Sequence, residues 1–372
     1  MSGTRICFHV PYLYPLAGAT RVRYTGGLEV QQWLLTRGLA QRGFDVHVVT
    51  CDFGQPAVVT HEGVTFHRSY PPHQGLPGVR FFHPRMSRTV AALAAADARI
   101  YVMKGSGLLA GITGEVARMR GARFVFICSH DDDTRRVRPD LRPWEYGWYL
   151  RALRGASLRI AQTGWQRENF VRELGVTSEV VRNAVAPAAT PGDPGQPGTV
   201  LWLATYKASK RPEWFTDLAH GIPDQRFVMC GVIPEPPLTR EVYDRALAAA
   251  AGNPNLEVRG FVEHDRLQEV FGGASLVVHT SPAEGFPNVF LEAWSHGIPT
   301  VTTVDPDGAI ARHGLGAVAA DPDSLREAVR SLMADPERRR EIGRRAREYV
   351  AREHGLDTIL DRYVRLLGSR SA

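Results

Sequence analysis

Residues 186–198, APAATPGDPGQPG, divide the chain and so govern what it can fold into. Four prolines and three glycines in thirteen residues sustain neither a helix nor a central strand. The segment therefore reads as a linker, and the same pattern runs on both sides of it. Before it, short apolar runs at 5–10 (RICFHV), 45–51 (DVHVVTC), 98–103 (ARIYVM) and 123–130 (RFVFICSH) read as buried strands. Helix-like stretches lie among them at 28–43, 90–96 and 108–119. After it, strands are expected at 199–205, 226–231, 256–262, 275–281 and 299–303, again separated by helix-like segments. Alternation of this kind builds a parallel sheet with helices on its faces. Two doubly wound α/β domains follow, 1–185 and 199–350, joined by 186–198. From 323 to about 367 the composition is helical with little to break it, and a C-terminal helix over 351–372 is expected to pack back on the first domain.

A chain of 372 residues suits two cores, and 44% hydrophobic with 23% charged residues is a globular balance. No run approaches the roughly 20 apolar residues of a membrane span. The first residues lead directly into a strand, without the basic, apolar and small-residue regions of a leader. A cytoplasmic location is expected, with peripheral contact at the inner membrane face left open. Cys7, Cys51, Cys128 and Cys230 show no zinc-ribbon or CxxC spacing and are expected as buried thiols. The net charge of +6 is uneven: residues 1–185 carry 24 Lys/Arg against 14 Asp/Glu, and the remainder 21 against 25. A basic first half suits an anionic or membrane-associated binding partner. No zinc-finger spacing or RNP-like strand accompanies it, so nucleic acid is not the expected partner. Arg135, Arg136, Arg138 and Arg142, followed by Trp144, Tyr146, Trp148 and Tyr149, mark the surface expected to meet an anionic or membrane-associated partner.

Parallel sheets bind ligands at the carboxyl ends of their strands. The most informative such place is 280–301, TSPAEGFPNVFLEAWSHGIPTV. Glu284 and Gly285 fall in the loop after a strand, and a helix is expected over about 288–296, stopped by Gly297. Pro287 is tolerated near the helix start. Backbone around Gly285, Phe286, Pro287, Asn288 and Val289, with the positive helix end, would cradle phosphate oxygens. Glu292 lies eight residues beyond Glu284, so the two carboxylates can serve two polyhydroxylated ends of one elongated ligand. The competing reading is a solvated acidic pair near a helix start. In LATYKASKRPEW, 203–214, Lys207, Lys210 and Arg211 put positive charge at another strand end. In YTGGLE, Gly26 and Gly27 permit close backbone approach and positive φ, and Glu29 reads as structural. His130 and Asp131 end a first-domain strand, as His9 does earlier. Asp131, Asp132 and Asp133 cannot share one face as a metal site. Loops GVIPEP and RGFVEHDRL offer Gly231, Phe261 and Val262.

The E-x7-E spacing, the interposed G-F-P and the trailing A-x-x-x-G-x-P closely resemble the donor-binding signature of retaining GT-B glycosyltransferases of family 4, the group 1 glycosyl transferases. The KRPE at 210–213 matches a variant of the family's lysine motif, whereas the family's arginine and glycine correspond to Thr205 and Ala204. The resemblance implies the GT-B fold, two Rossmann-like domains facing a central cleft. It implies transfer of a sugar, with retention, from a UDP- or GDP-linked donor to a hydroxyl acceptor in glycan, glycolipid or natural-product assembly. No cofactor or metal is implied. Carried over, Glu284 contacts hydroxyls of the transferred sugar and Glu292 bridges the ribose hydroxyls. Lys210 grips the diphosphate, with Lys207 replacing the charge absent at Thr205. His130 sits near the sugar's C6 hydroxyl, giving Glu284, His130 and Lys210 as the catalytic set. Gly26 and Gly27 lie beside the phosphate and acceptor, and Gly231, Phe261 and Val262 line the base pocket. The alternatives are a nucleotide-sugar epimerase of the same architecture, a phosphorylase-like enzyme needing lysine-bound pyridoxal phosphate, and a non-catalytic nucleotide- or nucleic-acid-binding protein.

Overall fold

The structure is a computed structural model and describes residues 3–18, 26–72, 81–189, 192–233, 240–263 and 266–368. The chain divides into two compact units, Met1–Ala184 with Ile359–Ala372, and Val185–Thr358.

The first unit is built on β1 (Arg5–His9), β2 (Asp45–Thr50), β3 (Val58–His61), β4 (Val64–Arg68), β5 (Ile100–Lys104), β6 (Arg123–Ile127), β7 (Leu158–Ala161) and β8 (Glu179–Val180). Their order in the sheet is β3-β4-β2-β1-β5-β6-β7-β8. All pair in parallel except the β3–β4 hairpin. The strand order reverses at β1 and β5, the place where such a sheet opens a ligand crevice. Tyr101, Phe124, Phe126, Tyr149 and Phe170 fill the core on one face. Gly111 and Gly114 let the helix Leu108–Met119 lie against the helix Pro143–Gly155: a Cβ at Gly114 would fall 2.6 Å from that of Ala152. All four cysteines are free and buried.

The second unit contains β9 (Thr199–Leu203), β10 (Phe227–Cys230), β11 (Leu256–Val258), β12 (Ala274–His279), β13 (Thr300–Thr302) and β14 (Gly316–Val318), ordered β11-β10-β9-β12-β13-β14 and entirely parallel. Trp202, Phe215 and Phe227 are fully buried in its core, each stabilising the unit by roughly 1.5–3 kcal/mol. Gly231 makes a required close approach. With φ +152°, it lies so near the end of β9 that a Cβ would sit 1.7 Å from the Ala204 carbonyl oxygen.

Two expectations are revised. The proline- and glycine-rich segment is docked on the second unit. The Arg339 guanidinium donates to the Pro194 carbonyl at 2.6 Å, and Gly192 N–H donates to the His296 carbonyl at 3.0 Å. The helical tail is three helices, Pro322–Ala334, Pro336–Glu353 and Leu356–Gly368. Asp335–Pro336 breaks it first, because proline cannot continue the preceding ladder. Gly355 breaks it again where it bridges to Val185. The C-terminal helix thus begins at Leu356 rather than at residue 351. Leu360 on that helix packs against Gly38, where a Cβ would lie 2.3 Å from it.

Candidate active site

The loops that follow β9 and β12 meet because those strands are neighbours in the sheet. Trp202 Nε1 donates to Thr280 Oγ1 at 3.0 Å, and Thr280 Oγ1 donates to the Lys210 carbonyl at 2.5 Å. Ser281 Oγ donates to the Ser209 carbonyl at 3.3 Å. These bonds fix the short turn Ala208–Lys210 beside the loop after β12, and the Lys210 ammonium is ion-paired with Glu284. His279, the last residue of β12, presents Nε2 to Glu284 Oε1 at 3.5 Å, while its Nδ1 lies 3.2 Å from Thr302 Oγ1. Burial alone would raise the Glu284 carboxyl, but His279 and Lys210 outweigh it and hold it at about 2. Among the described residues the partners engage only Oε1, leaving Oε2 to accept from a ligand hydroxyl.

Glu292 is set differently. It rides on the helix Asn288–Ser295, which starts after Pro287 with no side-chain cap on its first N–H groups. Burial pushes its carboxyl up to about 7, and no described charge offsets this. The two carboxylates therefore differ in character: one ionised and anchored, the other balanced between forms at neutral pH. Gly297, at φ +77°, ends this helix as expected.

The remaining expected residues of this unit are distributed unevenly. Lys207 is exposed at the start of the Ala208–Lys210 turn, and its N–H donates to the Thr205 carbonyl at 2.8 Å. Tyr206 between them is buried, and its hydroxyl donates to the Arg259 carbonyl at 2.7 Å, tying the β9 loop to the residues before Phe261. Gly231 N–H donates to the Gly260 carbonyl at 3.2 Å, and Phe261 and Val262 are half-buried beyond it, Val262 against the core. The GVIPEP loop beyond Ile233 and residues 264–265 of the next loop lie outside the described residues. The Phe286 ring is turned into the core, 4.8 Å from His354 and 6.2 Å from Trp294. Val289 likewise packs against the core, Gly285 and Pro287 are buried, and Asn288 is half-buried. Arg211 takes φ +47° and lays its guanidinium over Trp214 at 4.8 Å.

In the first unit, Gly26 is the N-cap of the helix Gly27–Gln41 with φ −94°, so neither glycine uses the positive φ expected of the pair. Glu29 is buried and its carboxylate accepts from the Gly26 N–H at 3.1 Å, a one-way cap on the helix start that explains its presence. His130 caps the turn Asp131–Thr134, its Nδ1 accepting from the Asp132 N–H at 3.2 Å. The acidic triplet is dispersed. Asp131 accepts from Gln166, Asp132 pairs with Arg135, and buried Asp133 accepts from the backbone and hydroxyl of Ser129. No group of three or more ligating side chains suited to a metal occurs among the described residues. His9 is buried with Nδ1 2.8 Å from Thr113 Oγ1, and burial lowers it to about 4, as befits a satisfied core histidine. The arginine and aromatic run does not form one surface. Arg138 is largely buried against Asp140 and Asp133, and the Tyr149 hydroxyl donates to the Asp133 carbonyl at 2.5 Å, whereas Trp144 and Trp148 are exposed.

Sequence reasoning passed over His279 and Lys104. His279 ends an apolar strand, a position at which a lone histidine could have been noticed. Lys104 ends β5 at the switch of strand order, its ammonium donating to Asn183 Oδ1 at 3.1 Å. Burial lowers it to about 8.

With this geometry in view, comparison with known proteins decides the family. A model described as Glycosyl transferases group 1 matches residues 197–335, and one described as Glycosyltransferase Family 4 matches residues 25–189. The chain belongs to the family 4 glycosyltransferases. Among curated relatives, the α-maltose-1-phosphate synthase of Mycolicibacterium smegmatis is 26% identical over 255 residues. The match covers 57% of this chain and 66% of that relative. Among solved structures, a sucrose-phosphate synthase from Thermosynechococcus elongatus superposes with a TM-score of 0.79 at 18% identity, covering 98% of both chains. The Anabaena protein HepE, solved with UDP-glucose, gives 0.75 at 15% identity, covering 98% of this chain and 100% of that one. The two Rossmann-like α/β domains are thus those of the GT-B fold. No helix among the described residues is long and apolar enough to cross a membrane.

Proposed function

We propose that the chain is a retaining glycosyltransferase that moves a sugar from a UDP-linked donor to a hydroxyl acceptor. The observation that carries this reading is the pair of unlike carboxylates at the ends of one loop-and-helix element. Among the described residues, Glu284 is ionised and held with one oxygen unengaged, and Glu292 has no charged partner. Glu284 accepts from hydroxyls of the transferred sugar, and Glu292 accepts from the vicinal hydroxyls of the ribose. Between them the uncapped start of the helix Asn288–Ser295, with Lys207 and Lys210, stabilises negative charge on the diphosphate as the bond to the sugar breaks. Lys207 supplies a point charge where the family carries an arginine, without that side chain's fork. The departing diphosphate assists in deprotonating the incoming hydroxyl on the same face, so configuration is kept. The UDP-glucose bound by the Anabaena neighbour favours uridine over guanosine as the base.

Donor binding through protein groups alone makes a direct expectation. Calorimetric titration should show UDP binding, tighter than GDP and unchanged by EDTA. Loss of binding on chelation would replace the lysines and helix end with a metal, and no binding of either nucleotide would remove the reading.

A further inference from the structure

His279 and Thr302 end the neighbouring parallel strands β12 and β13 and are paired in register. Both are buried in the second unit. The His279 ring is held from three sides. Its Nδ1 lies 3.2 Å from Thr302 Oγ1, its Nε2 lies 3.5 Å from Glu284 Oε1, and the Phe290 ring meets it at 5.1 Å and a steep 75°. Phe290 belongs to the helix Asn288–Ser295 that also carries Glu292. The surrounding backbone is fixed as well. Thr303 N–H donates to the His279 carbonyl at 3.2 Å, and Thr303 Oγ1 donates to the Ser281 carbonyl at 2.5 Å. Thr302 Oγ1 accepts from the Val304 N–H at 3.1 Å, so its own hydrogen lies between Nδ1 and the Val304 carbonyl, which is 3.3 Å away.

Burial keeps the imidazole below its ordinary pKa, so at pH 7 the ring carries one hydrogen. An ionised carboxylate only accepts, and that hydrogen therefore belongs on Nε2, with Nδ1 accepting from Thr302. Lys210 binds the same carboxylate oxygen, Oε1. A carboxylate oxygen offers about two acceptor sites, so the lysine and the histidine together occupy Oε1. The lysine alone would not orient the group. Its ammonium is a point charge on a flexible stem, to which the carboxylate could turn either oxygen. The histidine is a rigid ring fixed by neighbours on separate elements. We infer that His279 is a positioning residue that sets sugar specificity: by filling the second site of Oε1, it leaves Glu284 to meet the donor sugar through Oε2 alone. This rests on the reading of Glu284 as a ligand of the transferred sugar. A carboxylate held in one rotation discriminates hydroxyl configuration, because a hydroxyl on the wrong side of the sugar ring finds no acceptor.

The test compares the full chain with His279→Leu, His279→Gln and Thr302→Val, using UDP-glucose, UDP-galactose and UDP-N-acetylglucosamine as donors for slow hydrolysis. His279→Leu should lower kcat for the best donor about tenfold, the loss of one hydrogen bond to a charged group, with KM and the affinity for free UDP within about twofold. The spread of kcat/KM across the three donors should narrow by about the same factor. His279→Gln retains an N–H donor and should restore part of both. Nitrogen-15 NMR should find His279 as the Nε2–H tautomer, and Thr302→Val should shift it toward the other. Carbon-13 NMR of the Glu284 carboxyl should show its titration moving up from about 2 in His279→Leu. An unchanged spread of donors in His279→Leu, a matching loss of UDP affinity, the Nδ1–H tautomer in the unsubstituted chain, or a Glu284 titration that does not move would each overturn the inference. If the unsubstituted chain releases UDP from no donor, the glycosyltransferase reading fails, and the carboxyl titration alone decides whether His279 holds Glu284.

Discussion

Glu284→Gln is expected to lower sugar transfer about 100-fold or more while leaving affinity for free UDP equal or slightly improved. The amide keeps the size of the side chain but cannot hold the charge that Lys210 and His279 support. A sugar hydroxyl then loses an ionised acceptor at the place where its orientation decides the reaction. Free UDP has no sugar and loses nothing, and the released Lys210 ammonium is available to its phosphates. The variant should also be less stable at pH 7. The carboxyl's folded value of about 2 lies below its ordinary 4.5, so its contribution is full above 4.5 and fades as pH falls through 2. Enzyme assays with calorimetry and thermal unfolding check all three effects. A parallel loss of UDP affinity would move Glu284 from the sugar to the nucleotide.

Glu292→Gln should behave in the opposite sense on stability and more severely on binding. Because burial raises this carboxyl to about 7, the folded state resists its ionisation and loses stability as pH rises from 4.5 to 7. The amide removes that cost, so the variant should be more stable at pH 8, by about 1–3 kcal/mol. Nucleotide affinity should nonetheless fall about tenfold or more, as ribose hydroxyls lose a charged acceptor. In the unsubstituted protein, binding of UDP-glucose should strengthen as pH rises through about 7, because the hydroxyls prefer the carboxylate. UDP-glucose is the right probe, since its diphosphate carries no group that titrates there. The glutamine variant should show a flat profile. A stability gain without a binding loss would make Glu292 a structural residue.

The contrast between these carboxylates was only half visible in the sequence. The motif placed Glu284 and Glu292 eight residues apart, but not what surrounds each. Lys210 reaches Glu284 across 74 positions because β9 and β12 lie side by side, an adjacency the chain order does not announce. For the same reason Lys210 read as a phosphate ligand alone, whereas it first holds a carboxylate. Phe286 read as part of a phosphate cradle because G-F-P is contiguous, yet the phenylalanine turns inward to Trp294 and His354. The strands that were legible, such as β1, β5, β9 and β12, are buried on both faces and spell unbroken apolar runs. Edge strand β3 alternates between exposed and half-buried positions and carries Thr60 and His61, so nothing marked it as sheet. Gly26 shows a further limit: a glycine pair suggested positive φ, and the helix cap it makes with Glu29 needs none.

The central claim is that this chain breaks the bond between a sugar and a nucleoside diphosphate with retention, and slow donor hydrolysis tests it without a known acceptor. The protein would be incubated with a panel of UDP- and GDP-linked α-sugars while NMR follows both the nucleotide and the first anomer released. The account predicts UDP from at least one donor, with the α-anomer appearing before mutarotation and with no release by Glu284→Gln. Absence of nucleotide release from every donor, conversion of the donor to its epimer, or first appearance of the β-anomer would contradict it.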